Sequence, residues 1–151
     1  KYYMNLALVY KKLELTDTKL HLPVDVIVST NSNGQEPSRI TGVGNTQEEE
    51  MILDIGPDTI ELFKGIIKAA KMIFWNGPMG FSEVKEFSNG TKAVAEAIAQ
   101  SAAFSVAGGG ETVNCLAQFG LTDRINHVST GGGALLKFLA GEKLPGIEAL
   151  K

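Results

Sequence analysis

Three glycine clusters constrain this chain more than any other feature of its sequence. Gly77 and Gly80 form the first, Gly108, Gly109 and Gly110 the second, and Gly131, Gly132 and Gly133 the third. They hold eight of the 17 glycines in 151 residues, and the overall glycine content of about 11% exceeds the typical ~7%. No regular period runs through them, which excludes a collagen-like repeat, and no Ser or Pro enrichment accompanies them as in a flexible linker. Each cluster follows a short apolar run and precedes a helical pattern. Residues 71–76 (KMIFWN), 103–107 (AFSVA) and 125–129 (INHVS) read as strands. Ala93, Val94, Ala97 and Ile98 mark a helix over 91–101, and Val113, Leu116 and Ala117 one over 111–119. Leu135, Leu136, Phe138 and Leu139 mark a third over 133–140.

Upstream the pattern is less regular. Residues 2–13 read as a helix with a broad apolar face (Met4, Leu6, Ala7, Leu8, Leu13), and residues 22–29 (LPVDVIVS) as a buried β-branched strand. Residues 30–50 are polar and broken by Gly34, Pro37, Gly42 and Gly44. A structureless stretch of that length is unusual in a compact domain, so short paired strands are expected there. Gly56, Pro57 and Asp58 open a further helix, with Ile60, Phe63, Ile66, Ile67 and Ala70 at helical spacing.

The resulting β-α-β-α-β-α order predicts an α/β fold: a Rossmann-like three-layer α/β/α arrangement with a mainly parallel sheet and right-handed crossovers. Every strand-to-helix loop of such a sheet lies at the carboxyl edge of the strands, where ligands bind. The three glycine clusters occupy those loops and should gather on one rim. A glycine loop opening a helix presents free backbone N–H groups and the positive end of the helix dipole, and the missing Cβ atoms let an anion approach. One such loop alone reads as a tight turn; three at equivalent positions predict a polyphosphate site.

Composition narrows the class. A chain of 16.1 kDa with 44% hydrophobic and 21% charged residues is suited to one ordered domain. Fourteen basic against 17 acidic residues give −3, and no third of the chain is basic, so a nucleic-acid partner is not expected. Cys115 is the single cysteine, which excludes an internal disulfide and a cysteine-based zinc site. No apolar run approaches the ~20 residues of a membrane span. The start, KYYMNLALVYKK, lacks an initiator Met and a signal-peptide cleavage site and reads as mid-helix, so a piece of a longer protein is expected. Neither the P-loop pattern G-x-x-x-x-G-K-[ST] nor G-x-G-x-x-G occurs, and the H-R-D and D-F-G signatures of protein kinases are missing.

Several motifs then occur in a telling order. WNGPMG (75–80) is followed by Glu83, GGGET (108–112), HVSTGGGA (127–134) and LPGIEAL (144–150), with LPVD (22–25) and LDIGP (53–57) upstream. Across residues 22–150 the chain resembles the carboxyl-terminal, nucleotide-binding domain of phosphoglycerate kinases. The resemblance implies a two-domain glycolytic enzyme with a hinge, which moves phosphate between 1,3-bisphosphoglycerate and MgADP to give 3-phosphoglycerate and MgATP. It implies that residues 1–151 are the later part of the nucleotide domain. The amino-terminal domain for 3-phosphoglycerate and the early part of the nucleotide domain would lie outside them. A cytoplasmic enzyme, monomeric when complete, is expected on the same grounds, with ADP or ATP and Mg²⁺ as its ligands and no membrane partner.

The resemblance also implies residue roles. Glu83 would bind the ribose hydroxyls, a task suited to charge-assisted hydrogen bonds. Asn76, Gly77 and Pro78 would form a phosphate-side loop, while Gly80, Phe81 and Leu53 would lie beside the base. Gly109, Gly110 and Thr112 would face phosphate, and Glu111 would support the nucleotide-bound Mg²⁺. The family usually has Asp at the position of Glu111, so this chain reaches with one methylene more. Gly131, Gly132 and Gly133 would stabilise the phosphoryl group in transfer, and Ser129 and Thr130 would sit at the hinge. Read without the resemblance, Glu83 is a solvated loop acid, Leu53 and Phe81 are core residues, Glu111 favours a helix dipole, Thr112 is a cap and His127 is structural. Two other functions stay open on residues alone: a non-catalytic nucleotide-sensing module and a sugar-phosphate-binding domain.

Overall fold

A computed structural model describes residues 20–150 of the chain. The helix expected over 2–13 lies outside the described residues. Six strands, β1 (Asp25–Ser29), β2 (Arg39–Gly42), β3 (Met51–Ile55), β4 (Met72–Asn76), β5 (Phe104–Gly108) and β6 (His127–Val128), form two sheets. Five α-helices accompany them: α1 (Pro57–Ala69), α2 (Asn89–Gln100), α3 (Gly110–Gln118), α4 (Gly133–Leu139) and α5 (Pro145–Glu148).

The second sheet is the one the glycine pattern predicts. Its order is β4-β5-β6 and both pairings are parallel. Parallel neighbours need a crossover, and α2 supplies it between β4 and β5 while α3 lies between β5 and β6. Strand alternation sorts its faces. Trp75, Ser105 and Ala107 are buried on one side, whereas Met72, Phe74 and Phe104 on the other are 66%, 39% and 51% exposed. The other sheet, β2-β1-β3, is antiparallel throughout, with an irregularity between Ile27 and Val28. The polar stretch 30–50 does contain the expected pairing, because β2 within it lies along β1.

One core joins the two sheets. Ile55 of β3, Ile60 of α1, Trp75 of β4, Val94, Ala95 and Ile98 of α2, Ala107 of β5 and Leu116 of α3 pack as a single cluster with Ile125. Fully burying a large apolar side chain contributes about 1.5–3 kcal/mol, so this cluster fixes how the strand ends and helix starts meet.

Two buried carboxylates tie helices to strands. Asp25, in β1, accepts the N–H groups of Asp58 (3.1 Å) and Thr59 (2.8 Å) in the first turn of α1. Helix starts leave such N–H groups without an intrahelical partner, so a carboxylate there caps the helix from outside. The Thr59 hydroxyl lies 2.6 Å from Asp25 Oδ1 and accepts the Val24 and Asp25 N–H groups. Asp54, in β3, stands in the same relation to α2: its Oδ2 accepts the Gly90 N–H at 2.8 Å and its Oδ1 the Ile55 N–H at 2.9 Å.

Candidate functional site

The loop after β4 and the start of α3 face each other at the carboxyl end of the parallel sheet. They are fastened from within. Gly77 N–H donates to Thr112 Oγ1 at 2.7 Å, and the Trp75 indole N–H donates to the Gly77 carbonyl at 2.8 Å. Gly109 carries φ +89°, a left-handed conformation that side chains rarely adopt, and a Cβ there would run into Asn76 Oδ1. Only glycine therefore lets β5 turn into α3 beside Asn76. Thr112 is fully buried; it joins the two loops through its oxygen and keeps its own proton to donate.

Between them opens a cleft of about 330 Å³. Pro78, Gly80, Phe81, Ser82 and Glu83 form one wall, and Glu111, Asn114, Cys115 and Gln118 form the other. The second wall is one helical face, since these residues stand at i, i+3, i+4 and i+7 along α3. The Cys115 thiol donates to the Ser82 hydroxyl at 3.2 Å and joins the walls at their base. Glu83 and Glu111 are exposed and belong to opposite walls.

The charge of the lining is informative. It carries two carboxylates and no basic residue. A bare polyphosphate would meet repulsion here, whereas one accompanied by a divalent cation would not. Among the described residues no group of three His, Cys, Asp or Glu stands ready to cage a metal. That donor set fits a magnesium ion brought in on phosphate oxygens, which needs only one or two protein carboxylates and retains water.

The remaining sequence-derived residues spread around this cleft. Leu53 is 6% exposed and lines a neighbouring cavity of about 630 Å³, which shares Gly80 and Phe81 with the first. Its other walls include Val26, Val43, Ile52 and Met79, so it is mostly apolar. Gly110 opens α3 in an exposed position. The third glycine cluster stands apart from both cavities. It is nevertheless held at the same strand end: Ser129 N–H donates to the Ala107 carbonyl at 2.8 Å, and Ser129 Oγ accepts the Gly131 N–H at 3.1 Å. Leu135 of α4 occupies the space a side chain on Gly108 would take. Thr130, Gly131 and Gly133 are exposed.

Six residues at or behind the cleft were not singled out from the sequence as site residues: Ser82, Asn114, Cys115, Gln118, Asp54 and Thr91. The first four carried a usable signal in the helical spacing from Glu111 and the loop position next to Glu83. Asp54 carried a weaker one, an acid inside an apolar strand.

Comparison with known proteins shows the family of the chain. The family model for phosphoglycerate kinase matches residues 4–142. The phosphoglycerate kinase of Nitratidesulfovibrio vulgaris is 46% identical over 133 residues, covering 88% of this chain and 34% of that protein. The structure of phosphoglycerate kinase from Coxiella burnetii superposes with a TM-score of 0.89 at 38% identity, over 100% of this chain and 39% of that one. That of the Pyrococcus horikoshii enzyme gives 0.77 at 35% identity, over 99% and 38%. The chain thus spans about a third of the length of the curated relative it matches.

Proposed function

The chain belongs to the phosphoglycerate kinase family, and from that premise we propose that it forms the later part of the carboxyl-terminal, nucleotide-holding domain of such an enzyme. The complete protein would transfer a phosphoryl group reversibly between 1,3-bisphosphoglycerate and MgADP, giving 3-phosphoglycerate and MgATP. The observation that carries this reading is the cleft whose two walls, both built on glycine loops at the carboxyl end of the parallel sheet, present Glu83 and Glu111 toward one space.

In this reading Glu83 accepts hydrogen bonds from the ribose hydroxyls, and Leu53, Gly80 and Phe81 flank the base at the border of the two cavities. Asn76, Gly77, Pro78, Gly109, Gly110 and Thr112 form the phosphate side. Glu111 supports the magnesium ion, directly or through water. That ion would neutralise charge on the phosphate oxygens. The backbone N–H groups of Gly131, Gly132 and Gly133 would face the group in flight, with Ser129 and Thr130 at the hinge that brings the second substrate in. Phosphoryl transfer depends mainly on positioning and on neutralising the equatorial oxygens, which backbone amides at a helix start can do. The bond from the acyl oxygen to phosphorus breaks while a β-phosphate oxygen of ADP bonds to it. No side chain need carry the phosphoryl group, and no nucleophile–base pair stands in the cleft.

The 3-phosphoglycerate side would belong to the part of the relatives that this chain does not span, so the 151-residue piece alone is expected to turn over little or not at all. We place the complete enzyme in the cytoplasm as a monomer. No helix among the described residues is long and apolar enough to cross a membrane. Calorimetric titration of the complete protein with MgADP should show one site, and a sugar phosphate alone should not fill it. Absence of MgADP binding would overturn the reading. Glu111→Ala should lower kcat by roughly tenfold or more; unchanged kinetics across a magnesium titration would remove Glu111 from metal support.

A further inference from the structure

Behind the cleft wall lies a carboxylate that the reaction does not use. Asp54 is 1% exposed, and among the described residues no cation pairs with it. Its oxygens sit between two glycines. A Cβ on Gly80, in the cleft wall, or on Gly90, in the first turn of α2, would collide with Asp54 Oδ1. The Gly90 N–H donates to Oδ2, so the carboxylate holds the start of α2 against the end of β3. The next residue of that turn is Thr91, which is fully buried. Its Oγ1 accepts the Met79 N–H at 3.0 Å and lies 3.4 Å from the Gly80 nitrogen. The Phe81 N–H donates to the Leu53 carbonyl at 2.6 Å, in the residue before Asp54. Among the described residues the N–H groups of residues 79–81 therefore all run to Leu53 or Thr91, and Asp54 connects those two anchors.

We propose that Asp54 and Thr91 are positioning residues for the nucleotide: they form a clasp that sets the stretch from Met79 to Phe81 as the wall of the cleft. The wall is one residue thick at Gly80, with the cleft on one side and, on the other, Asp54, which itself lines the neighbouring apolar cavity. Any movement of the first turn of α2 relative to β3 reaches Gly80 and Phe81 without an intervening layer. Clefts that recognise a ligand by close approach lose affinity when a wall shifts by a fraction of an ångström. Asp54→Asn keeps the shape but turns an amide N–H₂ toward either Ile55 N–H or Gly90 N–H, so a donor meets a donor. Thr91→Val removes the acceptor for Met79 and Gly80.

The inference rests on the nucleotide reading of the cleft, and the test separates the two. Amide hydrogen exchange and steady-state kinetics are measured on the complete enzyme and its variants. Exchange at Met79, Gly80 and Phe81 should accelerate in Asp54→Asn and Thr91→Val, while exchange at residues of β5 stays as in the wild type. KM for MgADP should rise roughly tenfold in Asp54→Asn and about threefold in Thr91→Val, with KM for the other substrate unchanged and kcat altered less than KM. Thr91→Ser, which retains the acceptor, should restore the wild-type KM. If Asp54→Asn does not fold, the Thr91→Val and Thr91→Ser pair decides alone. Unchanged exchange at 79–81, or a loss of kcat with no change in KM for MgADP, would overturn the clasp. Failure of the wild-type enzyme to bind MgADP would instead sink the nucleotide reading, and the exchange data would still judge the clasp.

Discussion

Asp25 and Asp54 perform the same architectural act in two regions of the molecule, under opposite electrostatic conditions. Each is buried in a strand and receives N–H groups from the first turn of a helix belonging to the next part of the chain. Burial pushes the Asp25 carboxyl up, but the Thr59 hydroxyl and the Thr59 and Asp58 amides outweigh it, so its pKa ends below the ordinary value. Burial of Asp54 outweighs the Gly90, Ile55 and Asn89 amides, and its pKa ends above the ordinary value. Two things differ: Asp54 is the more deeply buried, and Asp25 has Thr59 as a side-chain donor whereas Asp54 has amides alone. It teaches that the donors of the cap away from the cleft outweigh its burial, while those of the cap beside the cleft do not.

The largest expected effect that would break this comparison is at Asp25. Asp25→Ala leaves the Asp58 and Thr59 amides without their acceptor, while the Thr59 hydroxyl keeps only the residue-25 carbonyl, and should cost about 2–4 kcal/mol in urea unfolding. KM for MgADP should not move, because Asp25 lines neither cavity. A loss under about 1 kcal/mol, or a shifted KM, would erase the contrast with Asp54.

A smaller effect would sharpen it. Thr59→Val should cost about 1–2 kcal/mol and move the Asp25 pKa upward toward the behaviour of Asp54, read by carboxyl ¹³C NMR. No movement would show that the hydroxyl is not the source of the difference.

The smallest effect is a slope. Asp25, with its pKa lowered on folding, contributes stability above the unfolded value of ~3.9 and loses that contribution as pH falls through its folded pKa. Asp54, raised on folding, contributes most below the unfolded value and loses it as pH rises through its folded pKa. The stability penalty of Asp25→Asn should therefore shrink on acidification, while that of Asp54→Asn should grow. Parallel slopes in thermal melts from neutral to acidic pH would contradict the assigned directions.

The parallel half of the fold was legible because its signals are local. Trp75, Ala107 and the helices that follow them show apolar spacing and glycine punctuation within a few residues. The helix expected over 91–101 starts two residues earlier, at Asn89, because the outside carboxylate of Asp54 receives its first turn. That contact spans 36 positions and leaves no local trace. β3 was not read from the sequence as a strand, and the direction of β1 was illegible for a related reason: LPVDVIVS is a β-branched run in either orientation, and only tertiary pairing with MILDI makes the two antiparallel. The candidate site divides likewise. Glu83 and Glu111 were legible only through the family resemblance, since by position alone they read as a solvated loop acid and a first-turn helix acid, and Asn114 and Gln118 follow from helical arithmetic once Glu111 is chosen. Asp54 and Thr91 act from the back of the wall, where chain order says nothing about who is adjacent.

The two glycines flanking Asp54 also impose an order on sequence change. With a carboxylate seated between them, neither Gly80 nor Gly90 can accept a side chain without displacing it. A smaller residue at position 54 would not free them, because the Leu53 carbonyl also crowds a Cβ on Gly80 and the Ile55 side chain one on Gly90, and it would strip the helix start of its acceptor. Three sites in different elements, 26 and 10 positions apart along the chain, are thus locked into a single mutational unit. Drift at any one of them passes through a poorer protein.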